Sequence, residues 1–344
     1  MKYLIVIAGP TASGKTKLGI ELAKHFDTEI LSADSRQFYR EMNVGTAKPK
    51  AEELAEAKHH FINNLSIHDE YTVGDYEKEA LTVLDEIYKE KDVALMVGGS
   101  GLFIQAVCEG LNEFPEVSKE IREELSNAYK KHGIWILQKE LKEKDPEYYE
   151  EVDKNNHQRL IRALEICRAS GEPYSSFRNQ PKAERDFMPI YVIMDWDRDS
   201  LYERINLRVD IMMRDKLFDE VKELVEHKNL NSLRTVGYQE FFAHLEEEYD
   251  VYEAIRLVKR NSRRYAKRQM TWFRKNEEAG FYNPEDFDDI LAFINRKING
   301  EPEPEEDEEY EEEYEEEELE NDVEEVEIED EEVDTFDDFD DFDD

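Results

Sequence analysis

Three observations predict an α/β fold: a P-loop NTPase-like core with a parallel sheet, a helical insertion domain and a disordered acidic C-terminal tail. The first is an aliphatic, β-branched run over residues 1–8 that passes straight into Gly9-Pro10-Thr11-Ala12-Ser13-Gly14-Lys15-Thr16, a full match to G-x-x-x-x-G-K-[ST]. The second is a pair of further short apolar runs, residues 29–32 and 93–97, which end in Ala33-Asp34-Ser35-Arg36-Gln37 and Gly98-Gly99-Ser100-Gly101. The third is the distribution of charge. Of 86 acidic residues, 30 fall after Gly300, where there is no Lys or Arg; the first 300 residues keep 56 acids against 45 bases, a net of −11.

These features set the boundaries. A catalytic core is expected over 1–112 and 190–299, a helical insertion over 113–189 and the tail over 300–344. The insertion is read from helical apolar spacing at 121–141 and 160–166, from prolines at 115, 146, 173, 181 and 189, and from the return of a buried strand only at Ile190-Tyr191-Val192-Ile193-Met194. Like-charge repulsion in the tail outweighs any core its few aromatics could build, so it reads as a solubilising segment, or else as a mimic of nucleic acid that covers a basic surface. With 2 Cys in 344 residues a disulfide scaffold is excluded, and reduced thiols in a cytoplasmic protein are expected. No apolar run approaches the ~18 residues needed to cross a bilayer, and the opening run is too short for a signal segment, so no membrane partner is expected.

The phosphate loop has a physical basis. Gly9 and Gly14 permit the backbone angles that turn successive N–H groups of residues 9–16 toward an oligophosphate at a helix N-terminus. Lys15 adds a point charge, and the Thr16 hydroxyl is suited to magnesium. Asp34, at the carboxyl end of a strand, stands where doubly wound sheets build active crevices, as a magnesium ligand, a general base or a cap. The strand at 93–97 ends in glycines rather than in the acid of an ATP motor.

With Gly45-Thr46-Ala47-Lys48-Pro49, Gln158-Arg159-Leu160-Ile161-Arg162, Gly237-Tyr238-Gln239-Glu240 and Arg263-Arg264-Tyr265-Ala266-Lys267-Arg268-Gln269-Met270-Thr271-Trp272-Phe273-Arg274, the chain closely resembles the tRNA dimethylallyltransferase family from residue 1 to about 298. The resemblance implies transfer of a dimethylallyl group from dimethylallyl diphosphate to N6 of the adenosine 3′ to the anticodon, position 37, in tRNAs reading codons that begin with U. It implies that residues 9–16 cradle the diphosphate with Mg2+, that Asp34 accepts the N6 proton, and that Lys15, Thr16, Ser100 and Arg208 complete the catalytic set. It also implies tRNA contacts from Asp34, Ser35, Arg36, Gln37, Gly101, Gln158, Arg159, Leu160, Ile161, Arg162, Arg264 and Arg268. Ser100 replaces the family's usual threonine, Phe103 a tyrosine, and Lys216 a frequent glycine.

A base must leave its stack to be modified, which suits an anticodon loop and asks for basic and planar side chains. From Arg256 to Lys275 there are nine Lys or Arg and no acid, at spacings that put many on a shared helical face. The tRNA anticodon loop and dimethylallyl diphosphate are thus the expected partners of a monomer. A small-molecule kinase would leave this helix unexplained, and a non-catalytic RNA-binding protein would not need Lys15, Thr16 and Asp34.

Overall fold

The computed structural model describes residues 1–178 and 181–302; beyond residue 302 the acidic segment lies outside the described residues. Two compact units appear, Met1–Glu113 with Gln180–Ile298, and Phe114–Asn179.

The first unit is built on a six-stranded, all-parallel sheet: β1 (Lys2–Ala8), β2 (Ile30–Ala33), β3 (His59–His60), β4 (Val93–Gly98), β5 (Phe187–Met194) and β6 (Gly280–Tyr282). Their spatial order is β3-β2-β4-β1-β5-β6. Strand β1 is central, and from Leu4 to Ala8 every side chain is fully buried. Leu4, Val6 and Ala8 face a cluster shared with helices Val73–Ile87 and Gly101–Glu109, whereas Ile5 and Ile7 face one shared with helices Lys15–His25 and Phe287–Asn299. Helices on both faces bury the sheet twice over, which is why its strands read as continuous apolar runs without alternation. Each Leu, Val or Ile so buried contributes about 1.5–3 kcal/mol.

A third cluster in this unit packs Val209, Met212, Leu217, Val221, Tyr238, Phe241, Ala254 and Val258, uniting helices Arg198–Arg214, Leu217–Leu224, Gln239–Leu245 and Val251–Phe273. The last carries the basic run. Its buried positions, Ala254, Leu257, Val258, Asn261, Ala266, Gln269 and Phe273, form one stripe at helical spacing, so the charges occupy the remaining faces.

The second unit is helical, with Lys119–His132, Trp135–Lys144, Pro146–Glu151 and His157–Ser170 around Leu125, Leu137, Leu141, Leu160 and Leu164. The return to the sheet comes earlier than residue 190. Strand β5 starts at Phe187, and Arg185 already donates to the Val107 and Ala106 carbonyls and pairs with Glu77. Pro189 masked the strand in the sequence; it pairs with Leu4 of β1, while β6 reaches only Val192–Met194, so no ladder bond is lost on its other side.

Candidate active site

Every loop that carries a candidate residue leaves the carboxyl end of a strand. After β1 the chain turns through Gly9 at φ 143°, Ala12 at φ 64° and Gly14 at φ 94° into helix Lys15–His25. Gly9 has no room for a side chain, since a Cβ there would stand 2.9 Å from the backbone oxygen of Met194. Ala12 occupies a left-handed conformation that costs a non-glycine residue ~1 kcal/mol. Side chains from elsewhere hold the loop in this shape. Gln269 accepts the Thr11 N–H at 2.9 Å, Arg204 Nε donates to the Ala12 carbonyl at 3.0 Å, and Trp196 Nε1 donates to the Ser13 carbonyl at 3.0 Å. Arg204 also stacks on Trp196, 4.3 Å from its centroid.

Lys15 folds back over the loop and donates to the carbonyls of Gly9 at 2.9 Å and Pro10 at 2.5 Å. Burial, reinforced by the Arg208 charge and opposed by Asp34, lowers its pKa to about 7. Arg208, one turn beyond Arg204, is likewise lowered by burial and supported by Asp34 and Tyr265. One carboxylate and two cations therefore sense one another across the mouth of the loop.

Asp34 follows β2 directly, and its Oδ1 accepts the N–H groups of Arg36 at 2.9 Å and Gln37 at 3.3 Å. That closes a tight turn and fixes the carboxylate. The Ser100 hydroxyl accepts the Ser35 N–H at 3.1 Å, joining this turn to the one after β4. Gln37 spans from Ser32 to the Thr46 carbonyl, and Arg36 donates to the Arg234 carbonyl at 2.8 Å. The turn of residues 43–45 gives three N–H groups to Glu220, whose carboxylate also takes the Tyr238 hydroxyl at 2.6 Å. The glutamate thus braces Gly45 and the buried Tyr238 together.

The residues expected at the RNA lie in differing surroundings. Leu160 and Ile161 lie in the core of the second unit, at 0% and 6% exposure, because they occupy the apolar face of helix His157–Ser170. Arg162 is drawn into the same unit, pairing with buried Glu165 at 3.6 Å and lying over Phe114 at 5.3 Å. Arg159, by contrast, is exposed, and Gln158 is half-buried. Gly101 is covered by a protein group, for a Cβ there would stand 2.3 Å from Trp272 Nε1. On helix Val251–Phe273, Arg256 pairs with Glu253, Lys259 with Asp210 at 2.8 Å, and Arg263 bonds Asn206 at 2.8 Å, so these three bases serve local and helix–helix contacts. Arg264 and Arg268 lie on the same helix, both half-buried.

Sequence reasoning missed Gln269, Arg204 and Trp196 as loop-holding residues. Gln269 was visible inside the quoted basic block, but only the fold reveals that it points to the loop.

The family model described as IPP transferase matches residues 37–276. The chain belongs to the IPP transferase family. A tRNA dimethylallyltransferase from Christiangramia forsetii is 52% identical over 298 residues, covering 86% of this chain and 99% of the relative. Another from Flavobacterium johnsoniae is 48% identical over 301 residues, covering 86% and 97%. The crystal structure of a tRNA isopentenylpyrophosphate transferase from Bacillus halodurans is similar at 36% identity and TM-score 0.63, over 87% of this chain and 96% of that one. A eukaryotic dimethylallyltransferase solved while acting on tRNA shares the fold at TM-score 0.75 and 24% identity, over 89% and 82%. As a member of the IPP transferase family, the chain is a prenyltransferase that modifies tRNA. Among the described residues no helix is long and apolar enough to cross a membrane.

Proposed function

We propose that this member of the family transfers the dimethylallyl group of dimethylallyl diphosphate to N6 of adenosine 37, 3′ to the anticodon, in tRNAs reading codons that begin with U. It does so in the cytoplasm as a monomer. The observation that carries the reading is the fixed turn of Asp34 after β2, bonded through Ser35 and Ser100 to the turn after β4, in a site where Lys15 of the phosphate loop and Arg208 feel its charge. The N6 lone pair is delocalised into the adenine ring, so attack on the allylic carbon needs its proton removed as the N–C bond forms. Asp34, held by two backbone N–H groups, accepts that proton. As the C–O bond breaks, diphosphate leaves with its electron pair; Lys15, Arg208 and the N–H groups at the N-terminus of helix Lys15–His25 stabilise the growing charge.

Magnesium suits the donor set. The Thr16 hydroxyl, in the first helical turn, is a hard oxygen, and such an ion keeps several waters while sharing few protein oxygens with substrate phosphates. When bound, it neutralises charge on the diphosphate. Ser100, through its bond to the Ser35 N–H, fixes the turn that aims Asp34. Exposed Arg159 supplies a phosphate contact from the second unit.

Anticodon stem–loops bearing adenosine at positions 36 and 37, incubated with dimethylallyl diphosphate and magnesium, should gain the adduct at position 37 alone when fragments are weighed. Guanosine at position 36 should slow transfer by at least about tenfold, the scale of one mispaired recognition contact. An adduct elsewhere, or equal rates with both loops, would refute the position and codon preference while leaving tRNA prenylation intact.

A further inference from the structure

We infer that Gln269 is a positioning residue for the donor site, tying the phosphate loop to the glycine turn beyond β4; this rests on the donor-loop reading above. Its side chain is 7% exposed, and both ends of its amide are used. Oε1 accepts the Thr11 N–H at 2.9 Å, and Nε2 donates to the Gly99 carbonyl at 2.8 Å. Strands β1 and β4 are adjacent and parallel, with Ala8 beside Gly98, so the two loops leave the sheet side by side and need something to hold their separation. A buried primary amide suits the task because it offers one acceptor and one donor, and one backbone group of each complementary kind faces it.

Two further observations agree. A Cβ at Gly99 would stand 2.3 Å from Gln269 Nε2, so the missing side chain is what admits the amide. The Thr11 N–H is also removed from the set of loop N–H groups available to an anion. Gln269 lies on the basic helix Val251–Phe273, three residues before exposed Trp272, so the element proposed to meet RNA is bonded directly to the element proposed to hold the donor.

The test uses the full chain and magnesium with inorganic pyrophosphate as probe, which separates this inference from the identity of the prenyl acceptor. Gln269→Leu should weaken pyrophosphate binding in calorimetry and raise the KM for dimethylallyl diphosphate, each by about tenfold, as expected when one buried and one half-buried backbone group lose their partner. Affinity for tRNA should stay within about twofold. Gln269→Glu keeps the acceptor, loses the donor and adds charge, and should bind pyrophosphate more weakly still. If Gln269→Leu fails to fold, Gly99→Ala tests the other end: it should weaken pyrophosphate binding in the native background and much less beside Gln269→Ala, where the amide is gone. Unchanged pyrophosphate affinity in folded Gln269→Leu, or equal losses of donor and tRNA affinity, would overturn the inference. Native protein that binds pyrophosphate but transfers nothing to tRNA would instead refute the proposed reaction.

Discussion

The phosphate loop and the basic helix were read from the same sequence, yet they differ in how far a motif determines its use. In the loop the ligand would be met by backbone N–H groups, and Gly9, Gly14 and the first turn of helix Lys15–His25 fix their direction within eight contiguous residues. On helix Val251–Phe273 the ligand would be met by side chains, whose availability depends on what the fold packs beside them. Lys259 and Arg263 spend their donors on Asp210 and Asn206 of helix Arg198–Arg214, and Arg256 on Glu253. A backbone site is therefore legible as a local pattern, whereas a charged face read from helical spacing mixes ligand contacts with struts between helices.

The largest expected effect lies in the loop. Lys15→Met should lower kcat/KM for dimethylallyl diphosphate by about 10²–10³, the scale of losing one preorganised donor to a developing charge. The same variant sharpens the electrostatic reading. Because folding lowers the Lys15 pKa from 10.5 to about 7, the folded state binds fewer protons than the unfolded state between those values, so the cost of burying Lys15 is greatest below pH 7 and fades as pH rises. Thermal melts should then find Lys15→Met more stable than the native chain at pH 6.5, with the gap narrowing toward pH 10; a constant gap would contradict the lowered pKa.

A smaller effect separates contacts from struts. Arg159→Ala should weaken tRNA binding several-fold and reduce the slope of log affinity against log salt by about one. Lys259→Ala should leave both within error and cost at most about 1 kcal/mol of stability, as for other exposed pairs. The reverse pattern would mean that the helix spacing, not the observed pairing, identifies the RNA face.

The smallest concerns Lys216, which takes φ 73° at the start of helix Leu217–Leu224. Glycine adopts that conformation freely but loses more entropy on folding, so Lys216→Gly should shift stability by no more than about 1 kcal/mol by denaturant titration.

How much was legible follows the same division. Strands β1, β2, β4 and the core of β5 announced themselves because burial on both faces leaves continuous apolar runs. Strand β3, with two residues, and β6, with three, are too short to carry a period, and Pro189 disguised the beginning of β5. Asp34 was visible as an acid after a strand, and its turn with Arg36 and Gln37 is local, but its interaction with the charges of Lys15 and Arg208 arises only when three distant segments meet. In Gln158–Arg162 the motif was legible and the packing was not, since burial of Leu160 and Ile161 depends on other helices of the unit, among them Lys119–His132 and Trp135–Lys144.

The central claim is that Asp34 takes the proton from N6 of a tRNA adenosine as that nitrogen attacks the allylic carbon of dimethylallyl diphosphate held on the phosphate loop. Purified native chain and Asp34→Asn, which keeps the turn's acceptor oxygen, would each be incubated with unmodified tRNA, dimethylallyl diphosphate and magnesium, and the nucleosides weighed by mass spectrometry. The account predicts a dimethylallyl adduct on adenosine with the native chain and a rate lower by about 10²–10⁴ in the variant, the usual contribution of a general base, at unchanged tRNA affinity. Equal rates from both proteins would contradict it.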